Sequence, residues 1–417
     1  MPVQLENPMS LLHLTGDRPR KNWHSHSTPG AWLARVLSVH AGLVVKTPQR
    51  RFTILTRWCL VMEEAVFPVM KPSLPSPTAF SARLNQIDES GQFSNFGPQV
   101  TELESRFAQR FRISSDRVVV LANATLALTG LAQILAPDNW RVPSWTFVAT
   151  ALSALQSGST IRFADVNSVT HRLDFSATSP PSIVTLPFGV GVPEAWVKSA
   201  LFPPIVDAAA SLGSVRDLSG LPTSSNVVFS LHATKYLGAG EGGLVVTGDS
   251  ALAAELKAWS NFGFKSDRVS HLRGTNAKMS EFQAAVAHAA LDSEKTQQAE
   301  WEDLRALSRK VDEALGIEIP AISHHSIAPY WIVQFDSQEK RDAAELLLSE
   351  NSVETRRWWS NGSHRMSAMH TVPQEGPLKT TESLAATTLG LPYFRGMTPA
   401  NFNMIGDVLS NALRLPA

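Results

Sequence analysis

The stretch SLHATKYLGAGEGGLVVTGD, residues 230–249, holds one lysine, Lys235, followed by a glycine-rich run. Gly238, Gly240 and Gly243 spell G-x-G-x-x-G, the pattern of a dinucleotide-binding loop. Such a loop must open a helix, whereas the residues from Gly243 onward, GLVVTGD, have the pattern of a strand. We therefore exclude a dinucleotide site and expect the glycines to let the backbone turn and pass close to a ligand.

Strand-like and helix-like patterns alternate on both sides of this stretch, from about residue 115. The runs DRVVVLA, TIRFADV, SIVTLPF, PPIVD and NVVFSL are rich in β-branched residues, and TLALTGLAQIL and TFVATALSALQSG have helical apolar spacing. Strands that alternate with helices predict an α/β fold with a mostly parallel sheet covered on both faces. Ligands of such sheets bind outside the carboxyl ends of the strands.

The pattern changes near residue 300. YWIVQF predicts a strand, SQEKRDAAELLLSEN an amphipathic helix, SVETRRWW a further strand and MTPANFNMIGDVLSNALR a terminal helix. These elements predict a smaller α+β domain over residues 301–417. Residues 62–300 then form an N-terminal arm and a large ligand-binding domain.

The composition excludes several classes of protein. Lys and Arg together number 37, as do Asp and Glu, so net charge supports neither a nucleic-acid partner nor a membrane surface. Cys59 is the one cysteine, which excludes an intrachain disulfide and suits the reducing cytoplasm. No apolar run has the length of a membrane span. His171, His324 and His325 have no metal-site spacing, so we expect no metal.

Residues 1–61 differ from the rest of the chain. They hold eight Lys or Arg residues against two acidic ones and show no strand–helix alternation. A transit peptide, a small DNA-binding segment and a start codon placed too early, with Met62 as the true start, each fit this composition. We expect a disordered or spurious extension and leave it out of the fold.

Lys235 lies just after the strand pattern NVVFSL, at the strand end where α/β folds place ligands. Most loop lysines are simply solvated, but this one has the polar neighbours Ser230, His232, Thr234 and Glu241. A partly desolvated lysine can lose its proton and form a Schiff base. Lys235 is therefore a candidate for covalent chemistry.

The stretch around Lys235 resembles the lysine motif of the DegT/DnrJ/StrS family of sugar aminotransferases, which use pyridoxal 5′-phosphate (PLP). Further segments resemble the family in the same order: SNFGPQVTELESRF, NATLAL, VPSWTFVATALSAL, FADVNSVTHRLD, VDAAASLG and GTNAKMSEFQAA. The resemblance covers about residues 66–417. It implies the fold of a fold-type-I PLP-dependent transferase, a specific form of the α/β fold predicted above.

The resemblance assigns the catalytic pair. It implies that Lys235 forms the Schiff base with PLP and afterwards moves the proton between substrate and cofactor. Asp207, at the end of the strand PPIVD, would bind the pyridine nitrogen and keep the ring protonated. Without the matched lysine, Asp207 is more typical of a strand-end aspartate or a helix N-cap.

The resemblance also assigns the cofactor phosphate. Ala124, Thr125 and Leu126 lie where a strand passes into a helix, and backbone N–H groups at a helix start suit an anion. Ser230 matches a further phosphate ligand of the family. Without the resemblance, Thr125 is a plain helix cap and Ser230 an ordinary loop serine.

Three positions concern the ring and the partner subunit. Phe147 matches the aromatic residue that stacks on the pyridine ring, with Trp145 as the rival. Asn276 matches an asparagine that reaches the phosphate of the partner's cofactor, which implies a homodimer with shared active sites. Ala210 stands where the family usually has Gln or His, so one polar contact is missing.

The resemblance implies a nucleotide-linked keto-sugar as substrate and L-glutamate as amino donor, in the making of amino sugars for surface polysaccharides or glycosylated metabolites. Residues 353–364, VETRRWWSNGSH, resemble the branch that acts on 4-keto-6-deoxyhexoses. Arg356, Arg357, Trp358 and Trp359 are candidates for a diphosphate and a base or sugar face. An exposed strand edge is the alternative reading of the same four residues.

Two other functions occur among similar proteins. PLP-dependent sugar dehydratases carry histidine in place of the lysine, so Lys235 argues against that activity. Some transcription regulators join a DNA-binding segment to an aminotransferase-like domain, and residues 1–61 are basic enough to raise this possibility. They contain no recognisable helix-turn-helix.

Overall fold

The structure is a computed structural model that describes residues 66–317, 327 and 329–414. The predicted extension over residues 1–61 lies outside the described residues, as do His324 and His325. The function of that extension and any metal-binding by these two histidines therefore stay untested.

The central sheet has five strands in the order β1-β7-β6-β5-β4. The strands are β1 (Val118–Leu121), β4 (Ile183–Thr185), β5 (Ile205–Asp207), β6 (Asn226–Ser230) and β7 (Gly243–Thr247). β4, β5 and β6 run parallel, and β7 is antiparallel to both β6 and β1. The expected mostly parallel sheet is confirmed, and β7 is the strand that departs from it.

A second parallel pair extends this sheet. β2 (Asn139–Pro143) and β3 (Thr160–Ala164) pair with each other, and Arg141 bridges to Ser182 beside β4. β7 begins at Gly243, the third glycine of the G-x-G-x-x-G pattern, where a dinucleotide-binding loop would open a helix. The exclusion of that loop is therefore confirmed.

Helices cover both faces of the sheet. They are α1 (Pro77–Ser90), α2 (Pro98–Phe111), α3 (Ala124–Leu135), α4 (Val148–Gln156), α5 (Glu194–Ser199), α6 (Ser250–Ser260), α7 (Glu281–Asp292), α8 (Glu294–Leu315), α9 (Gln338–Glu350), α10 (Lys379–Thr387) and α11 (Pro399–Leu413). Side chains alternate across β1: Val118 and Val120 pack with α2, whereas Val119 and Leu121 pack with α3. Burial on both faces explains why the strand sequences are continuous apolar runs.

The C-terminal part has its own small sheet. β8 (Trp331–Gln334) and β9 (Thr388–Leu391) pair antiparallel, and their apolar side chains join the same core as those of α2. The boundary at residue 300 remains a prediction. The predicted strand SVETRRWW is not formed: Val353 bridges to Phe67 and Arg356 to Gly390 as isolated pairs.

Within the part of the chain that the structure describes, no helix is long and apolar enough to cross a membrane. The same residues include no group of three or more His, Cys, Asp or Glu side chains placed to hold a metal ion.

Candidate active site

Asp207 lies at the carboxyl end of β5, and its side chain is 5% exposed. Its Oδ2 accepts a hydrogen bond of 2.6 Å from Thr150 Oγ1, and its Oδ1 accepts one of 3.1 Å from the Ala209 N–H. Burial raises the pKa of the Asp207 carboxyl, and these two hydrogen bonds and the charge of Lys235 oppose that rise. The structure thus brings Asp207 and Lys235 into one electrostatic site.

Lys235 lies in the turn after β6, partly buried. Its Nζ donates a 2.6 Å hydrogen bond to Tyr330 Oη and lies 5.3 Å from the centre of that ring. The rings of Phe188 and Trp358 meet Tyr330 edge-on at 6.0 and 5.5 Å. Tyr330 is therefore held in place beside the amine.

Sequence reasoning missed Tyr330. It opens the apolar run YWIVQF, which gave no signal other than that of a core strand. Its partner lies 95 residues earlier in the chain, so neither periodicity nor local spacing connects the two.

The start of α3 lies beside the glycine-rich stretch. Gly243 pairs with Leu121 on one side and with Ser230 on the other. A Cβ at Gly243 would lie 2.4 Å from the carbonyl carbon and oxygen of Asn123 and 2.7 Å from the nitrogen of Ala124. The backbone at Gly243 therefore passes close to the start of α3, as the glycines led us to expect.

The three backbone N–H groups that are predicted to bind a phosphate are not equally free to do so. The Asn123 side chain caps α3 and accepts the Leu126 N–H at 2.9 Å, so that N–H is already satisfied. Ala124 and Thr125 occupy the first two helical positions, whose N–H groups have no partner within a helix. Ser230, 7% exposed, lies across Gly243, and its Oγ accepts the His232 N–H at 3.2 Å.

Phe147 and Trp145, the two candidates for the residue that stacks on the pyridine ring, differ in their exposure. Phe147 precedes α4 and is 56% exposed. Trp145 is fully buried, and its ring meets Phe188 and Trp359 edge-on. A ligand can reach only Phe147, which shares the first turn of α4 with Thr150, the residue that contacts Asp207.

Asn276 is exposed and lies in a bridge with Asn261. Its neighbour Ala277 accepts the Ala122 N–H at 2.8 Å, which places this segment beside the loop between β1 and α3. Ala210 lies in the turn after Asp207 and contributes no polar side-chain group there.

The segment 353–364 reaches the site through its aromatic rings. Trp359 stacks on Phe188 at 4.6 Å with 6° between the planes, and Trp358 meets Tyr330. Arg356 is exposed. Arg357 is also exposed and is paired with two carboxylates of α9, Asp342 and Glu345.

The side chain of Arg356 lies over the ring of Trp358 at 4.9 Å. Its guanidinium also meets Glu354 Oε1 at 3.3 Å. Because this pair is exposed, water screens it and a phosphate can displace it.

The main chain anchors this segment at both ends. The N–H and C=O of Arg356 pair with those of Gly390 at 2.9 and 2.8 Å. The Ser363 N–H donates to Ser144 O at 2.9 Å, and Ser363 Oγ donates to Thr146 O at 2.9 Å. The loop after β2 and the strand β9 therefore fix its course.

The described residues fit PLP on structural grounds. A buried carboxylate, an exposed aromatic face, a lysine amine and a helix start with free N–H groups lie along the carboxyl ends of β1, β5 and β6. Ser153 Oγ of α4 donates to Thr125 O, which ties the helix after Phe147 to the start of α3.

Comparisons with known proteins show which sequences and structures this chain resembles. A model of the DegT/DnrJ/EryC1/StrS aminotransferase family matches residues 77–179 and 200–410. Protein Rv3402c of Mycobacterium tuberculosis is 32% identical over 246 residues, 52% of this chain. The chain spans 58% of the length of that relative.

Two further matches cover more of the partner protein. The dTDP-4-amino-4,6-dideoxy-D-glucose transaminase of Shigella dysenteriae is 26% identical over 350 residues, 79% of this chain and 94% of that protein. The crystal structure of DesI in the presence of its TDP-sugar product superposes with a TM-score of 0.71 and 30% identity, over 84% of this chain and 94% of DesI.

Proposed function

Since the chain belongs to the DegT/DnrJ/EryC1/StrS aminotransferase family, we propose that it transfers an amino group to a keto-sugar carried on a nucleotide. Its cofactor is PLP, in keeping with the family and with the fold shared with its solved relatives. The observation that carries the proposal is that Lys235 lies near enough to the buried carboxylate of Asp207, at one edge of the sheet, for the lysine charge to act on it.

The chain's own residues take the following parts. PLP, when bound, withdraws electrons from the carbon that gains or loses the amino group. Asp207 holds a proton on the ring nitrogen through its negative charge, and the Lys235 amine takes up and returns the proton at the reacting carbon. The site thereby supplies both the ring charge and the base.

Other residues bind and orient the cofactor. The N–H groups of Ala124 and Thr125, with the Thr125 and Ser230 hydroxyls, hold the phosphate at the start of α3. Leu126 contributes helix geometry only, because Asn123 already accepts its N–H. Phe147 covers one face of the ring.

The substrate is a 4-keto-6-deoxyhexose on a nucleoside diphosphate, and L-glutamate is the amino donor. The relatives named above support a deoxysugar, since one is a transaminase of a dTDP-linked 4,6-dideoxyhexose and another was solved with a TDP-sugar product. Arg356, with one carboxylate partner, is more readily available to a phosphate than Arg357, which has two. Asn276 serves the neighbouring site of a homodimer.

The two alternative activities have less support. A lysine at position 235 with a carboxylate partner favours transamination over dehydration, which uses histidine at this position. A regulatory function would depend on residues 1–61, which the structure does not describe.

The test is incubation of the PLP-loaded protein with L-glutamate and a panel of TDP- and UDP-linked 3-keto and 4-keto sugars, followed by mass spectrometry. We expect a ketone to be replaced by an amine in the 4-keto-6-deoxyhexoses. Lys235→Ala is expected to give no product, whereas Lys198→Ala, which alters an exposed lysine of α5 paired with Glu194, keeps full turnover. Absence of amino sugar from every nucleotide-linked ketone would overturn the proposal.

A further inference from the structure

Three threonine hydroxyls form a continuous chain that ends on Asp207. Thr185 Oγ1 lies 2.8 Å from Thr146 Oγ1, which lies 2.8 Å from Thr150 Oγ1, which lies 2.6 Å from Asp207 Oδ2. The threonines come from the end of β4, the loop after β2 and the first turn of α4. All are buried.

The protons of this chain can be placed by counting. Each hydroxyl carries one proton, and an ionised carboxylate only accepts. The Thr150 proton goes to Asp207, so Thr150 must accept from Thr146, and Thr146 must accept from Thr185. Every hydroxyl in the chain then points its proton towards the carboxylate.

A neutral Asp207 with its proton on Oδ2 would require the reverse arrangement, and a proton on Oδ1 would weaken that oxygen as the acceptor of the Ala209 N–H. If its Oδ2 carried a proton and donated to Thr150, each hydroxyl would donate away from Asp207, and Thr185 would end the chain with a proton to donate. Among the described residues, Thr146 is the hydrogen-bond partner of Thr185 Oγ1, and no further acceptor meets it. The reversed chain leaves a buried donor unsatisfied, which is costly.

We propose that Thr185, Thr146 and Thr150 form a one-way hydroxyl chain that positions Asp207 and keeps it ionised, with Thr150 as the decisive positioning residue. The chain deepens the proposed function and rests on it for the cofactor role of Asp207. Aligned hydroxyls polarise one another, so the last hydrogen bond is stronger than an isolated one.

The hydroxyl chain opposes the net effect of the surroundings on Asp207, which is to raise the pKa of its carboxyl. Burial raises the pKa of Asp207, and the Thr150 hydrogen bond is the largest of the influences that lower it. The Ala209 N–H and the charge of Lys235 act in the same direction. In the described part of the chain, Lys235 is the charged group that acts on the pKa of Asp207. No second acidic side chain there competes with Asp207 for the protons of the hydroxyl chain.

The experiment measures the ionisation of Asp207 in the full-length protein without cofactor. Infrared spectra of protein labelled with 13C at the aspartate carboxyls are recorded across a pH series. Asp207→Asn identifies the band of this residue. Dissociation constants for PLP are then measured for the same set of variants.

We expect a graded series. Thr150→Val raises the pH at which Asp207 ionises and weakens PLP binding about tenfold, because a hydrogen bond to a charged group is lost. Thr146→Val has a smaller effect, and Thr185→Val changes affinity less than about threefold, since only polarisation is lost. Thr150→Ser restores wild-type behaviour.

Thr388→Val is the matched control, because Thr388 is also buried and its hydroxyl donates to Leu384 O of α10 and not to a residue of the candidate site. An unchanged Asp207 band in Thr150→Val, or equal effects of all three valine variants, overturns the chain. If Thr150→Val does not fold, an unchanged band in Thr146→Val overturns it instead.

This readout is independent of the substrate. A graded series in a protein that aminates no nucleotide sugar would refute the proposed function and leave the chain intact. Full aminotransferase activity without the graded series would refute the hydroxyl chain and leave the proposed function intact.

Discussion

Replacing Gly243 by alanine tests whether the close approach of β7 to the start of α3 builds the phosphate site. The added Cβ would lie 2.4 Å from the backbone carbon and oxygen of Asn123. Ordinary contacts begin at 3.4 Å, so the loop must retreat by about 1 Å. The obstacle is backbone, which cannot turn aside as a side chain does.

The displacement acts on binding as well as on stability. The retreat carries the N–H groups of Ala124 and Thr125 away from the phosphate, and a misplacement of about 1 Å can cost on the order of a hundredfold where geometry is critical. We expect the dissociation constant for PLP to rise ~10–100-fold. Overpacking of this kind costs about 1–3 kcal/mol of the free energy of unfolding, which lowers Tm by a few degrees.

Titration of the cofactor-free protein with PLP, followed by tryptophan fluorescence, gives the affinity, and thermal melts give the stability. Gly220→Ala is the control, because nothing lies within 4 Å of its added Cβ and its backbone does not require glycine. If Gly243→Ala binds PLP as tightly as Gly220→Ala does, the close approach does not position the phosphate site.

Four further predictions concern single side chains. Borohydride reduction of the PLP-loaded protein followed by peptide mapping is expected to place the cofactor on Lys235; a label on another lysine contradicts the assignment. Asp207→Asn is expected to bind PLP yet slow transamination at least a hundredfold, because an amide cannot balance the ring charge, and wild-type turnover would reduce Asp207 to a structural cap. Tyr330→Phe keeps the ring but removes the acceptor of the Lys235 amine, so we expect kcat to fall several-fold with KM little changed; equal changes in both would indicate a structural effect. Burial raises the pKa of Asp312 to about 6, which is above its unfolded value, so the free energy of unfolding falls by up to about 3 kcal/mol as pH rises from about 4 to 7. Asp312→Asn still accepts the Trp331 indole N–H and should flatten that dependence in pH-resolved denaturant melts; an unchanged slope would refute the shift.

The sequence predicts the parts of the site that lie at strand ends. Asp207 and Ser230 each end an apolar run, and Lys235 follows one closely. In a parallel sheet such positions meet at one edge whatever the loops do. Periodicity together with the family resemblance was therefore sufficient to place them.

The sequence does not predict contacts that depend on distant loops. Thr146, Thr150 and Thr185 are ordinary residues of a helix start and a strand end, and only the fold aligns their hydroxyls. The strand expected over SVETRRWW fails because Val353 pairs with Phe67, nearly 300 residues earlier, and Arg356 pairs with Gly390. The rings of Trp358 and Trp359 pack in an aromatic cluster with Tyr330 and Phe188, and they do not take part in a sheet.

The main-chain anchoring of residues 353–364 separates the shape of this segment from its chemistry. Gly390 and Ser144 bind only backbone atoms of Arg356 and Ser363, so the course of the segment does not depend on the Arg356 side chain. The side chain at position 356 can therefore be exchanged without refolding the segment, so its ligand contacts can change while the backbone keeps its course. For an engineer, the same position is the first to randomise when a different nucleotide is to be accepted.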